Sequence, residues 1–424
     1  MGRAQKFSEN SARVWSRVER PLVLDAEYTK SRQQLLVPFT HTAMPPRRRA
    51  NANANTRNLN RQLQAAVLSN DERSVRKAVE RGAEVNAVME TGYWAPSIAP
   101  LHHAATLGNE GMVRLLFELG AALDMQVLAG FTAVYVASGR GNTETVRLLA
   151  QLGANMETPD YDGCTPVLAA SMMGHMQTVK LLAQLGANID TPAKNGYTPV
   201  HNASWAGHTE TVKLLAHLGA DLETPDGEGA TPVWGCCRDG HMDTVKALAQ
   251  LGVNIDAPNK NNRSPLYAAA FAGHTSIVTL LGELGADLNR SDDASGATPL
   301  LASSESGFTG TVKALARLGA DLNKTNKFGV SAVFIASNQN HPAVVSALLA
   351  HGADPSIATT RATGPIPAGS TPLSIAQARG HTDVVRVLNG ELHYCYAAKC
   401  AKPGQRSCNR CKQAWYCERA CQLR

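Results

Sequence analysis

Six of the nine cysteines fall within one short stretch: Cys395, Cys400, Cys408, Cys411, Cys417 and Cys421, with 4, 7, 2, 5 and 3 residues between successive members. Thiolates are soft, charged donors. Four of them converging on Zn²⁺ close a tetrahedral site with no open position, and such a site stabilises a segment too short to bury a core. The chemistry expected here is structural zinc binding, with zinc as the cofactor. His393 stands just ahead of the run as a substitute ligand. A disulfide framework is the other chemistry open to so many cysteines. It is disfavoured because the rest of the chain looks intracellular. Cys164 lies in a turn, and Cys236-Cys237 fills a slot reserved for small residues, which reads as packing rather than reactivity. No nucleophile–base constellation, phosphate loop or catalytic metal site is visible, so the chain is expected not to be an enzyme.

The rest of the chain is a repeat. A closing glycine recurs at Gly120, Gly153, Gly186, Gly219, Gly252, Gly285, Gly319 and Gly352, in steps of 33, 33, 33, 33, 33, 34 and 33. A fixed period of this length means stacked supersecondary units rather than one globular core. Thr165, Thr198, Thr231, Ser264 and Thr298 are placed to cap a first helix, with Pro166, Pro199, Pro232, Pro265 and Pro299 at its first position. Gly174, Gly207, Gly240 and Gly273 end that helix. A second helix follows, presenting for example Val179, Leu181-Leu182 and Leu185 on one face, and Gly186 terminates it. Polar turns such as Lys194-Asn195-Gly196 lead to the next unit.

One position near the end of the first helix varies freely: Thr106, Gly139, Met172, Trp205, Arg238, Phe271, Glu305 and Asn338. Met172, Trp205, Arg238 and Phe271 are the candidate partner-binding residues, because Trp and Arg are types enriched at binding hot spots. The other reading of Trp205 and Phe271 is cover for helix surface. Trp234 and Tyr267 occupy the slot of His102 and His201 and read as packing and local hydrogen bonding. His175, His208, His241, His274, His341 and His381 recur at one place, at least a repeat apart, which points to hydrogen bonding with a neighbouring loop and not to metal. Insertions fall around Tyr93-Trp94-Ala95-Pro96 and near Thr359–Ala368, and the Trp94 loop is either a partner contact or an end cover.

Charge divides the chain. Residues 1–58 carry 11 Lys/Arg against 4 Asp/Glu, residues 59–390 carry 23 against 29, and residues 391–424 carry 7 against 2. An acidic array gives no support to nucleic-acid binding. The first 58 residues show no sustained period and read as a disordered basic arm. They contain Arg47-Arg48-Arg49, a short import-like signal or a solvated charge run, and Met44 as an alternative start. Neither a secretory signal nor a membrane-length apolar run is visible, so an intracellular protein, cytoplasmic or nuclear, is expected.

The recurring Gly-x-Thr-Pro opening and Leu-Gly-Ala-Asn or Leu-Gly-Ala-Asp closing resemble the ankyrin repeat over residues 59–390, about ten units. The resemblance implies an all-α-type repeat solenoid of antiparallel helix pairs with β-hairpin fingers, binding proteins rather than catalysing. The run Cys408-Asn409-Arg410-Cys411, then Tyr416-Cys417 and Cys421-Gln422, resembles a MYND zinc finger spanning 391–424. Carried over from that resemblance, Cys395, Cys400, Cys417 and Cys421 hold one zinc. Cys408 and Cys411 hold half of a second, whose remaining ligands are not present before Arg424, so the finger is expected to be truncated or incomplete. A finger of this family implies binding of short, proline-containing peptides. The expected function is a two-site protein–protein adaptor. Alternatives are a nuclear transcriptional co-regulator or a ubiquitin-ligase component.

Overall fold

The computed structural model describes residues 54–88, 98–127, 129–362 and 365–392. They fall into two compact units, one ending at Gly227 and the other beginning at Glu228. The first holds five helix pairs: α1 (Ala54–Leu68) with α2 (Glu72–Glu80), α3 (Pro100–Leu107) with α4 (Glu110–Glu118), α5 (Ala133–Arg140) with α6 (Thr143–Gln151), α7 (Pro166–Met172) with α8 (Met176–Gln184), and α9 (Pro199–Trp205) with α10 (Thr209–His217). The second holds five more: α11 (Pro232–Asp239) with α12 (Met242–Gln250), α13 (Pro265–Ala272) with α14 (Thr275–Glu283), α15 (Pro299–Glu305) with α16 (Thr309–Leu318), α17 (Ala332–Asn338) with α18 (Pro342–Ala350), and α19 (Pro372–Arg379) with α20 (Thr382–Leu388). The helix-pair array expected from the period is therefore present. Its first helix opens at Ala54, inside the last residues assigned above to the arm.

Local chemistry fixes each pair. The hydroxyls of Thr132, Thr165, Thr198, Ser264, Thr298, Ser331 and Thr371 each accept a backbone N–H from the first turn, satisfying a donor the helix cannot. Thr132 and Ser331 do so without the usual proline behind them. Thr231 departs from expectation: it makes no side-chain cap bond, and its buried hydroxyl has no partner. Gly174 and Gly186 illustrate the two breaks, at φ +72° and +88° in the left-handed region.

Helices as short as seven to ten residues have no independent stability, so each pair is held by its neighbours. First helices stack on first helices (α3, α5, α7, α9 in one unit; α11, α13, α15, α17, α19 in the other), and second helices likewise. Close approach requires small side chains at the contact. Ala104, Ala137, Ala170, Ala203, Cys236, Ala269, Ser303 and Ala336 fill that place and are fully buried. The thiol of Cys236 serves as one of these small groups, as its spacing predicts. Second helices contribute the layer Val146/Leu149, Val179/Leu182, Val212/Leu215, Val245/Leu248 and Val278/Leu281, all fully buried.

The hairpin fingers are not strands. Among the described residues there is no strand, only isolated bridge positions such as the antiparallel pair Val127 and Phe131. Each finger is a tight turn closed by a backbone bond: Asp160 N–H to Cys164 (2.9 Å), Ala193 to Tyr197 (2.9 Å), Asn259 to Arg263 (3.0 Å) and Asn326 to Val330 (3.1 Å). One bond closing so short a turn falls below the length that makes a strand. The turn from Asp292 to Ala297 (2.9 Å) is one residue wider, and that residue accounts for the single step of 34. The Asp292 carboxylate fills it, accepting from the N–H groups of Ser295, Gly296 and Ala297. Successive turns are then tied by one backbone bond per repeat: Tyr161 to Ala129, Lys194 to Asp162 and Gly227 to Asn195 in the first unit; Lys260 to Glu228, Asp293 to Asn261, Lys327 to Ser295 and Thr360 to Phe328 in the second. The insertion near Thr359–Ala368 is also anchored. Ile366 packs with Val330, Phe334 and Ile375, and the Thr359 hydroxyl donates to the Pro367 carbonyl.

Two glycines give a test of this geometry. At Gly186 an added Cβ meets nothing within 4 Å, so Gly186→Ala should cost only the left-handed backbone strain, about 1 kcal/mol. At Gly174 the same Cβ would sit 2.6 Å from Nδ1 of His208. Gly174→Ala should therefore lose about 2 kcal/mol or more, read as a larger drop in urea midpoint. Equal losses would mean that the His208 ring does not lie over Gly174.

Candidate partner-binding surface

The variable row lies at the ends of the first helices, where the chain turns into the second helix. Its backbone is fixed by the recurring histidines. Nε2 of His175 bonds the Gly139 carbonyl (3.2 Å), and His208 bonds Met172 (3.1 Å), each within the first unit. In the second, Nε2 of His274 bonds Arg238 (2.9 Å) and of His341 bonds Glu305 (2.9 Å). His381 reaches Ser337 through Nδ1 (2.9 Å). Asn142 does the same work earlier, donating to the Ala105 and Thr106 carbonyls. The hydrogen-bonding reading of these histidines holds. The consequence is that the carbonyls of Thr106, Gly139, Met172, Arg238 and Glu305 are anchored while the side chain at that position varies.

The four candidate residues separate. Met172 and Trp205 end α7 and α9, which pack together in the first unit; Arg238 and Phe271 lie at the ends of α11 and α13, which pack together in the second. Met172 is half-buried. Trp205 is only 4% exposed, its ring edge-on to Tyr197 at 4.5 Å, so it builds the surface rather than projecting from it. Arg238 is half-buried and bonded to its neighbour Asp239, Nε to Oδ1 at 2.9 Å and Nη2 to Oδ2 at 3.3 Å, with its guanidinium 5.8 Å from the Trp234 ring. Phe271 is 50% exposed, stacked on Tyr267 at 6.5 Å. Trp234 and Tyr267 are packing residues, as expected: the Trp234 indole donates to the Arg263 carbonyl, and the Arg263 guanidinium lies 5.2 Å over the Tyr267 ring and pairs with Asp292.

Phe308 is the residue that sequence reasoning missed. It stands where Asn142 or a histidine stands in other repeats, and it is 37% exposed. Its signal was a gap: the histidine series skips from His274 to His341.

The cysteine run, its His393 neighbour and the Trp94 loop lie outside the described residues. Among the described residues no group of His, Cys, Asp or Glu could hold a metal ion. Burial pushes the Cys164 thiol up to about 12 and raises that of Cys236 as well, which keeps both in the unreactive thiol form. No described helix is long and apolar enough to cross a membrane.

Comparison with known proteins agrees with the geometry. A family model described as ankyrin repeats (3 copies) matches residues 62–160, 152–226, 221–292 and 300–397. No curated protein matches the chain.

His102 offers a test of how the array titrates. Its Nε2 lies 3.0 Å from the Met125 carbonyl and 3.1 Å from that of Phe131, holding the turn of the following repeat. Burial lowers its pKa to about 4, with the two carbonyls opposing only in part. The folded value lies below the unfolded one. The stability tied to neutral His102 is therefore complete above about pH 6.5 and is lost as pH falls toward 4, on the order of 3 kcal/mol in all. Urea unfolding between pH 4 and 7.5 should show a shallower pH slope for His102→Gln than for the parent. Parallel slopes would contradict the buried, neutral assignment.

Proposed function

This chain belongs to the ankyrin-repeat family, and on that premise we propose that it is a non-enzymatic, intracellular adaptor holding two protein partners. Ankyrin repeats are protein–protein interaction modules, and the array is the first binding element. The observation that carries the reading is the contrast along each first helix. Small residues at the stacking contact barely change from repeat to repeat, whereas the position two residues on, whose carbonyl is anchored at Met172 and Arg238, runs through Met172, Trp205, Arg238 and Phe271. A position fixed in backbone and free in side chain is the form that a recognition surface takes. In this proposal Met172 and Phe271 offer contact, while Trp205 and Arg238 set the shape and charge beside them.

The second element in the proposal is the cysteine finger. Cys395, Cys400, Cys417 and Cys421 would close one structural zinc site, and Cys408 and Cys411 would contribute to a second. Its partner would be a short, proline-containing peptide. Support comes from the number and spacing of the thiols.

Affinity capture with mass spectrometry tests the adaptor. The intact chain is compared with Phe271→Ser and Cys417→Ser variants. Phe271 is exposed, so its replacement should change array stability by no more than about 0.5 kcal/mol. Each variant is expected to lose its own set of partners, and Cys417→Ser to lose bound zinc as measured by elemental analysis. Partner sets indifferent to both substitutions would refute the two-site reading.

A further inference from the structure

We propose that Phe271 and Phe308 form a docking face for an extended, basic protein segment that carries one bulky apolar anchor; this deepens the array reading above and rests on it. Both rings border one turn. Phe271 is near the end of α13, and two residues on, the Phe308 ring lies over Gly273, where an added Cβ would meet it at 2.8 Å.

Neither aromatic is required by the fold. The position of Phe271 is occupied elsewhere by threonine, glycine, glutamate and asparagine. The position of Phe308 is asparagine or histidine in every repeat after the first except its own, and Asn142, His274 and His341 there bond a carbonyl of the preceding repeat. A phenyl group cannot make that bond, and here it also leaves apolar surface in water. Leu251 and Leu284 are exposed too, but they hold the helix-end place that Leu152, Leu185 and Leu218 hold in other repeats, so their exposure belongs to the unit. Within the second unit, Phe271 and Phe308 are the two exposed large apolar residues that the repeat pattern does not account for, and they border the same turn. Exposed aromatic surface of this kind marks interaction sites.

Charge selects the partner. Over residues 228–390 the 12 Lys/Arg and 12 Asp/Glu balance. The helix-to-helix turns at 238–243, 271–276 and 305–310 do not. They hold Asp239, Asp243 and Glu305 against one cation, Arg238, which is bonded to Asp239. An apolar patch flanked by carboxylates complements an apolar anchor flanked by Lys or Arg, and disfavours an acidic segment. Neighbouring packed helices are about 8–10 Å apart, which an extended chain covers in about three residues. A basic residue about three positions from the anchor therefore meets the flanking carboxylates while the anchor covers the rings.

The test is a selection of random peptides displayed on phage, using the full chain beside a Phe271→Ser/Phe308→His double variant. Phe308→His installs the repeat's own residue, so the variant should keep its fold, checked by circular dichroism and melting. Peptides with one Trp, Phe or Leu and a Lys or Arg within about three positions are expected to be enriched on the parent only. A synthetic representative should bind the parent at least about tenfold more tightly than the double variant. Glu305→Gln or raised salt should weaken it several-fold. No enrichment above the double variant, enrichment of acidic flanks, or an affinity indifferent to both aromatic substitutions would overturn the proposal. If the selection fails while cellular partners still depend on Phe271, the basic-anchor inference falls and the adaptor stands; if both fail, both fall.

Discussion

Contact between one helix pair and the next is the constraint that the rest of the structure obeys. A nine-residue helix such as Met176–Gln184 buries Val179, Leu181 and Leu182 only because neighbouring pairs cover them. The approach of first helices sets the terms. It demands Ala, Ser or Cys at one place in each unit, and it brings backbone carbonyls of one repeat within reach of the next repeat's histidine. Capping hydroxyls, left-handed glycines and the bond from turn to turn are local solutions to that single demand. The demand is on the stacked faces, so it leaves the helix ends chemically uncommitted, and those ends are where the unit-to-unit variation collects.

Much of this was legible in the sequence, because it follows from periodicity and from residues with narrow conformational roles. The glycine steps gave the number and phase of the units. Thr-Pro pairs mark the first helices, and the regular spacing of the histidines points to neighbouring backbone as their partner. What escaped notice depends on neighbours distant in sequence. Trp205 reads equally as a binding hot spot and as cover for helix surface, and what sets its burial is Tyr197, eight residues earlier, whose ring meets it edge-on. Thr231 has the right type and place for a cap and does not make one. Strands were expected for the fingers because the family pattern includes them; each turn here closes with one bond. Phe308 was visible only as an interruption of the histidine series, a signal that means little until the ring is seen lying over Gly273.

The ionisable groups inside the array follow the same logic of neutral burial. His102 is fully buried and is held uncharged, donating or sharing one ring nitrogen between two carbonyls. The Asp292 carboxylate shows the opposite balance. Burial works to raise its pKa, but the N–H groups of Ser295 and Ala297, the Ser295 hydroxyl and Arg263 together bring it below the usual value. At Asp292 the charge is kept inside by the donors that the turn and Arg263 supply. The buried thiols and small hydroxyls of the stacking slots add no charge at all.

The wider turn from Asp292 to Ala297 shows where this architecture has slack. A residue added there lengthens the period by one and leaves the helices on either side in phase, because the carboxylate of Asp292 gathers the surplus N–H groups. The same residue added within Pro299–Glu305 would rotate everything after it by about 100° around the helix axis, turning the alanine and serine contacts away from their neighbours. Turn tips are thus the array's expansion joints. They are the places where foreign sequence can be spliced in and displayed at regular intervals, one per unit, without the stack registering the change.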